Sequence, residues 1–104
     1  QNLKGIQIPT KRSYANVNWH LFPIQVDPNR RIFLFNNLKS AGIGVQVNYI
    51  PAYWHPVFSN LGLKPGMYPE SDLFYAREIS LPMFVSLQEA EIERVISTIK
   101  KLSV

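Results

Sequence analysis

The segment Arg30–Ile50, RRIFLFNNLKSAGIGVQVNYI, has a helical pattern and then an extended pattern on the two sides of one glycine. Its first half repeats apolar residues at helical spacing, which predicts a helix from about Arg30 to Ala41. The apolar face of that helix consists of Ile32, Leu34, Phe35, Leu38 and Ala41. Gly42 follows at the position where a left-handed residue ends a helix. Alternation of apolar with other residues then predicts a half-buried strand from Ile43 to Ile50, which stops at Pro51.

Another strand is predicted before this segment, at Trp19–Val26, where aromatic and β-branched residues are concentrated. Pro23 has no N–H group, so this strand lies at a sheet edge or leaves its N–H side unpaired at that point. Asp27 or Asn29 is expected to cap the helix that follows. Pro28 between them is compatible with the first turn of that helix.

The second half of the chain is interrupted by prolines and glycines between residues 51 and 70. We expect a helical turn at Pro56–Leu61, a short helix at about Glu70–Ile79 and a brief extended piece at Ser80–Met83. Ser86 and Glu89 have the spacing of a capping box, which predicts the start of a last helix. The apolar face of this last helix consists of Leu87, Ile92, Val95, Ile96, Ile99 and Leu102.

This order of elements predicts an α+β fold: a small, open, mostly antiparallel sheet with helices packed on one face. Residues 1–18 show no sustained period and are expected to form an irregular lead-in, followed by one domain at 19–104. The first residue is Gln1 and not Met, so we expect the chain to be a fragment or a processed product.

Composition excludes several classes of protein. The chain is 46% hydrophobic and 17% charged, with a formal net charge of +4, which excludes a disordered tail. Its apolar runs are shorter than a membrane helix requires, and there is no cysteine for a disulfide, a thiolate metal site or a thiol nucleophile. The basic residues are dispersed and no nucleic-acid-binding motif accompanies them, so we expect neither a nucleic-acid nor a membrane partner. No export leader is recognisable, and a cytoplasmic location is expected.

Candidate chemistry is sparse outside one segment. Neither His20 nor His55 has the spacing to a second ligand that a metal site needs, and no catalytic triad pattern is present. His20 is expected to be a packed imidazole in a strand, whereas His55 in a loop is equally compatible with a functional or a structural role. The seven carboxylates fall mostly at helix starts and on exposed helix faces, where caps and solvated charges are usual.

The exception is Asn48–His55, NYIPAYWH, where a strand ends and delivers an amide, two phenols, an indole and an imidazole into a loop. Such side chains combine an apolar body with a polar tip, which suits a pocket for a polar ligand with ring-shaped parts. The alternative is that Tyr53 and Trp54 only cover the end of the sheet or a partner surface. The residues alone leave both open.

Three motifs taken together resemble a known family: WHLFPI at residues 19–24, AGIGVQVNYIP at 41–51 and ISLPM at 79–83. They are similar to the C-terminal small domain of the DegT-type, pyridoxal-phosphate-dependent sugar-nucleotide aminotransferases. Within that family the most similar group is the transaminases of pseudaminic acid biosynthesis, whose corresponding segment has the form GIGVQVHYIP. The resemblance extends from about Asn16 to Leu102 and rests on the order and spacing of all three motifs.

The resemblance implies an enzyme that transfers an amino group from glutamate to a keto-sugar nucleotide. In that family a large N-terminal domain holds pyridoxal phosphate (PLP) and the Schiff-base lysine, and an interdomain helix precedes the small domain. Both are missing here, so we expect the fragment to bind no PLP and to be inactive alone, with no catalytic residue of its own. The loop after the GIG strand approaches the substrate in this family. The residues implied as substrate contacts are Asn48, Tyr49, Ile50 and Pro51, with Tyr53 and His55 as weaker candidates.

One position departs from the family pattern: Asn48 stands where the family usually has histidine. Asparagine forms hydrogen bonds but carries neither a proton nor a positive charge, which alters recognition of a phosphate or a sugar hydroxyl. The alternative function is a stand-alone module, derived from such a domain, for small-ligand binding or self-assembly. Its partner is then a missing large domain or a second copy, and the apolar surface of a separated domain predicts a homo-oligomer such as a dimer.

Overall fold

A computed structural model describes residues 3–103 and confirms the α+β class. Its helices and strands, in chain order, are β1 (Phe22–Gln25), α1 (Pro28–Ser40), a 3-10 turn (Ala52–Trp54), α2 (Pro56–Ser59), α3 (Pro69–Arg77), β2 (Glu78–Leu81) and α4 (Glu89–Leu102). Helix α3 passes into β2 without a connecting loop. Within the described residues no helix combines the length and apolarity that a membrane span requires.

Strands β1 and β2 pair antiparallel, with Ile24 opposite Ile79. A single antiparallel bridge extends the sheet on each side: Gln7 pairs with Gln25 of β1, and Gln46 pairs with Ser80 of β2. The small, open, antiparallel sheet that the sequence predicts is therefore confirmed.

The position of Pro23 follows from this pairing. The N–H of Gln25 points away from β2 and donates to the Gln7 carbonyl at 2.8 Å. Because N–H directions alternate along a strand, the missing N–H of Pro23 lies on the same outer side, where β2 needs no donor. Leu3 and Ile6 of the lead-in pack against the core. A domain boundary at residue 18 stays a prediction.

The core lies between one face of the sheet and helices α1 and α4. It contains Ile24, Val26, Leu34, Leu38, Ile43, Val45, Ile79 and Ile99. Two predicted core residues are wrong: Ile32 of α1 is 68% exposed, and Ile92 of α4 is also exposed. At 100° per residue, Ile32 lies about 200° around the helix from Leu34, which faces the sheet.

The ends of α1 are fixed as the sequence predicts. The Asp27 side chain accepts a hydrogen bond from the Asn29 N–H at 2.8 Å and caps the helix. At the other end Gly42 has φ +78°, and its N–H and that of Ile43 donate to the carbonyls of Lys39 and Leu38 at 2.9 and 3.0 Å. This is a Schellman motif, which satisfies helix carbonyls that would otherwise lack donors.

Two arginines connect α1 to α4. The Arg30 guanidinium, in the first turns of α1, donates to the Leu102 carbonyl at the end of α4, at 2.9 Å. Arg94 of α4 donates to the carbonyl of Ala41, which caps the end of α1. Each cation therefore binds the carbonyl end of the other helix, where the helix dipole is negative.

Several predicted boundaries are wrong. The strand at Trp19–Val26 covers only Phe22–Gln25, and the strand at Ile43–Ile50 forms one bridge, at Gln46. Helix α3 ends at Arg77, and Glu78 and Ile79 belong to β2. The capping box uses Gln88 and Glu91, two residues after the predicted pair: the Gln88 N–H donates to the Glu91 carboxylate at 2.8 Å.

Replacement of Gly42 by alanine tests the left-handed helix end. A side chain at positive φ costs about 1–2 kcal/mol, and the added Cβ would lie 3.2 Å from the Arg94 guanidinium. We expect Gly42→Ala to lower the free energy of unfolding by at least about 1 kcal/mol in urea denaturation. Gly44→Ala is the matched control, because nothing lies within 4 Å of its added Cβ and its φ is not positive. Equal effects of the two variants would contradict the role of Gly42.

Candidate functional site

The extended segment after α1 ends at Asn48, where the candidate site begins. The Asn48 N–H donates to Oε2 of Glu78 at 2.8 Å. The side-chain oxygen Oδ1 of Asn48 is buried and has no hydrogen-bond partner among the described residues. A buried acceptor without a donor is unusual in a folded protein and points to a position that a ligand or solvent completes.

Asn48 lines a groove of about 390 Å³ between the segment 42–48, the segment 80–87 and the first half of α4. The wall is largely apolar, with Leu81 and Met83 among its residues. Both charged residues of the wall already bind protein: Arg94 binds the Ala41 carbonyl, and Glu91 binds the Gln88 N–H. The groove therefore offers amide and imidazole groups more than free charge.

The residues of this groove do not fit a PLP-binding centre. PLP in an aminotransferase is bound covalently by a lysine amine. All six lysines are exposed, and none lines the groove: Lys4, Lys11, Lys39, Lys64, Lys100 and Lys101. Among the described residues there is also no group of three side chains that could hold a metal ion.

Tyr49 and Ile50 follow Asn48 on the surface. Tyr49 is 64% exposed and Ile50 is 48% exposed, although the alternating pattern predicts that Tyr49 faces the core with Val47. The Asn48–Tyr49 peptide bond is cis. Pro51 is buried and directly precedes the 3-10 turn. The exposed side chains of Tyr49 and Ile50 therefore lie between Asn48, whose main chain is hydrogen-bonded, and the buried Pro51.

Tyr53 and Trp54 turn away from the groove and bind Asp72 of α3. The Tyr53 hydroxyl and the Trp54 indole N–H, the latter at 3.1 Å, both donate to Oδ1 of Asp72. The Gly66 N–H donates to Oδ2 of the same carboxylate at 2.6 Å. We call these four residues the Asp72 clamp. It joins the loop after Pro51 to α3.

Aromatic contacts reinforce the clamp. The rings of Tyr53 and Tyr68 meet edge to face with centroids 4.9 Å apart, and those of Trp54 and Tyr75 do so at 5.4 Å. On α1, the guanidinium of Arg31 lies 5.5 Å from the centre of the Tyr75 ring of α3. Tyr53 is consequently only 9% exposed.

The hydrogen bond from Tyr53 lowers the pKa of Asp72 below its ordinary value of 3.8. Partial burial opposes this shift by disfavouring the charged carboxylate, and the bonds from the Gly66 N–H and the Trp54 indole add to the lowering of the pKa. At neutral pH, the Asp72 carboxyl group in the intact clamp is therefore ionised.

The two histidines are both exposed. His20 lines the groove and is not the packed imidazole that its strand-like setting predicts. Neighbouring Trp19 packs on Phe22 with centroids 5.6 Å apart. His55 lies at the start of α2, where its main-chain carbonyl accepts from the N–H groups of Phe58 and Ser59.

Of the predicted substrate contacts, Asn48 lines the groove, Tyr49 and Ile50 follow it in the chain as exposed side chains, and Tyr53 belongs to the clamp. Sequence analysis missed Glu78 and Asp72, which it assigned to caps and solvated charge. Both carboxylates accept hydrogen bonds from the predicted loop. No local signal marks them, because their partners are 30 and 18 residues away.

Acid should open the clamp in a defined range. The pKa of Asp72 is lower in the folded than in the unfolded chain, so its stabilising effect is complete above pH 3.8 and is lost as the pH falls below that value. We expect Trp54 fluorescence in a Trp19→Phe background to change in that range on titration to about pH 2. Asp72→Asn should abolish this transition, whereas Asp27→Asn, which removes a carboxylate remote in sequence and keeps the cap acceptor, should retain it. A transition unaffected by Asp72→Asn would rule out the clamp.

The chain is similar in sequence to proteins of one known family. Residues 1–100 match the DegT/DnrJ/EryC1/StrS aminotransferase family. A protein of Methanocaldococcus jannaschii, Uncharacterized protein MJ1066, is 32% identical over 107 residues, which cover 98% of this chain and 28% of that protein. The UDP-4-amino-4,6-dideoxy-N-acetyl-beta-L-altrosamine transaminase of Campylobacter jejuni is 36% identical over 74 residues, 68% of this chain and 19% of the enzyme.

A solved structure agrees with these relatives. Spr1654 from Streptococcus pneumoniae, described as a sugar aminotransferase, superposes in its PMP form with a TM-score of 0.85. The two are 28% identical, and the match covers 95% of this chain and 26% of Spr1654, which is also known in a PLP form. The chain spans 27–28% of the length of the first three curated relatives it matches. It belongs to the DegT/DnrJ/EryC1/StrS aminotransferase family.

Proposed function

We propose that this chain is the C-terminal small domain of a PLP-dependent sugar-nucleotide aminotransferase. The complete enzyme would transfer an amino group from glutamate to a keto-sugar nucleotide. Support comes from the family match and from relatives that are transaminases of dTDP- and UDP-linked amino sugars. The similarity to the altrosamine transaminase favours pseudaminic acid biosynthesis among the possible pathways.

The observation that carries this proposal is the buried, unpartnered Oδ1 of Asn48 at the groove. Oδ1 can only accept, so the group that completes it is a donor: a sugar hydroxyl or an acetamido N–H, and not a phosphate oxygen. The exposed ring of Tyr49 and side chain of Ile50 supply the apolar area next to it. Buried polar groups of this kind give specificity because a ligand without the donor leaves them unpaired.

Pro51, Tyr53 and His55 complete the proposed set of substrate contacts. The Tyr53 hydroxyl is bound to Asp72 and the residue is 9% exposed, so its proposed contact with substrate is limited to that small exposed part. The imidazole of His55 is exposed at the start of α2 and would approach the sugar nucleotide from outside the groove.

The chain alone is proposed to be inactive in transamination. When bound, PLP supplies the electron sink for amino transfer. The lysines of this chain lie on its surface and not in the groove. The large domain of the family would therefore hold the cofactor, and the Asn48–Ile50 loop of this domain would bind and orient the sugar against it.

A second function, assembly, is favoured by one surface. Val57, Phe58 and Leu61, on and just after α2, are exposed, with Leu61 at 77%. We call these three residues the α2 surface. Adjacent exposed apolar side chains of this kind usually mark an interaction site. Its partner would be the large domain or a second copy of this chain.

Binding of a sugar nucleotide tests the main proposal. We expect UDP-N-acetylglucosamine, used as the probe, to change the combined fluorescence of Trp19 and Trp54 at up to millimolar concentration, with UDP alone binding more weakly. Asn48→Ala should weaken binding by about tenfold, because it removes the acceptor for the sugar donor. Asn36→Ala on the exposed side of α1 is the matched control and should bind like the native chain. No response of the native chain at millimolar probe would contradict sugar-nucleotide binding.

Self-association tests the assembly function. We expect light scattering to show a mass above one chain at high concentration, since the α2 surface is apolar and exposed. Leu61→Lys should shift the equilibrium toward the monomer. Ile32→Lys, at a comparably exposed apolar residue of α1, should leave it unchanged. A strictly monomeric native chain would contradict assembly into homo-oligomers.

A further inference from the structure

Glu78 is the most deeply buried ionisable residue of the described chain, with 0% of its surface exposed. Its carboxylate accepts from the Asn48 N–H at 2.8 Å and from the Ser80 hydroxyl, and both donors are neutral. Burial of a carboxylate is costly, and neutral donors offset only part of that cost. A residue placed this way stabilises one local geometry at the expense of global stability.

The register of the sheet shows what the carboxylate replaces. Gln46 and Ser80 exchange both main-chain hydrogen bonds, at 3.2 and 2.7 Å. In an antiparallel ladder the next such pair is two residues on along one strand and two back along the other, which places Asn48 opposite Glu78. A continuing ladder would therefore join the main chains of these two residues.

That main-chain pair is prevented by the end of α3. The N–H of Glu78 donates to the Phe74 carbonyl as the last bond of the helix, so it is not available to Asn48. The ladder stops, and the Asn48 N–H donates to the Glu78 side chain instead. Alternate side chains of a strand project to the same face, so the Glu78 carboxylate lies on the face of the sheet that carries Ser80 and binds the Asn48 N–H from that face.

We propose that Glu78 is a positioning residue: its buried carboxylate sets where the chain leaves the sheet at Asn48 and thereby presents the Asn48–Ile50 loop. The identity of the ligand in this inference rests on the proposed function. The placement of the loop by Glu78 is independent of it. The Ser80 hydroxyl orients the carboxylate by binding its other oxygen. Asn48, whose Oδ1 is the unpartnered acceptor, is one of the residues that line the groove, and the same carboxylate binds its main chain.

Amide hydrogen exchange of the unliganded chain tests the placement directly. Glu78→Asp retains the carboxyl group but shortens the side chain by one methylene, so it should release the Asn48 N–H. We expect its exchange to accelerate at least about tenfold relative to the Ile24 amide in the central sheet. Glu78→Gln retains an acceptor and should keep exchange within about threefold of the native rate. Ser80→Ala removes the bond that orients the carboxylate but not the acceptor of the Asn48 N–H, so it should accelerate exchange less than Glu78→Asp does.

The same variants separate this inference from the proposed function. With UDP-N-acetylglucosamine as the probe, Glu78→Asp should weaken binding about tenfold and Glu78→Gln much less. If the native chain does not bind the probe but the Asn48 amide still responds selectively, positioning holds and the proposed ligand is wrong. If the Asn48 and Ile24 amides accelerate equally in Glu78→Asp, or neither does, Glu78 is merely structural and the inference is overturned. If Glu78→Asp does not fold, Glu78→Met provides the same comparison because it also removes the acceptor: selective acceleration of the Asn48 amide supports the inference, and equal or absent acceleration refutes it.

Discussion

The pairing of Ile24 with Ile79 across β1 and β2 is the constraint on which the rest of the fold depends. These two residues are 2% and 0% exposed, and they come from strands separated by three helices in the sequence. Helices α1 and α4 pack on the face of the sheet that carries these two residues. At the outer edges of the two strands, Gln7 pairs with β1 and Gln46 pairs with β2. Apolar burial at this face supplies the stabilisation that four-residue strands cannot obtain from hydrogen bonds alone.

The continuous unit α3–β2 holds the candidate loop from two directions. Glu78, at the junction of the unit, binds the main chain of Asn48, and Asp72, one and a half turns earlier in α3, binds Tyr53 and Trp54. Tyr49 and Ile50 remain exposed between these two attachments. A binding loop fixed at both ends loses little conformational entropy when a ligand arrives, which is the usual advantage of a preorganised site.

The chain covers about a quarter of its first three relatives, and its own residues suit recognition more than chemistry. Its groove contains acceptors and aromatic groups, its charges bind helix ends, and its lysines lie on the surface. The α2 surface is apolar and exposed, as expected of a domain that packs on another. These properties support the proposed role as one domain of a larger enzyme.

The sequence alone determined the class of the fold, the ends of α1 and much of the core, because caps, Gly42 and helical periodicity act within a few residues. It also located the loop at Asn48 and the family, since the motifs are contiguous in the chain. It failed after Val47 and at Glu78 and Asp72, where hydrogen bonds join residues 18 to 30 positions apart. These contacts depend on the tertiary fold, because the core determines which segments lie next to a buried polar group, whatever its neighbours in sequence are.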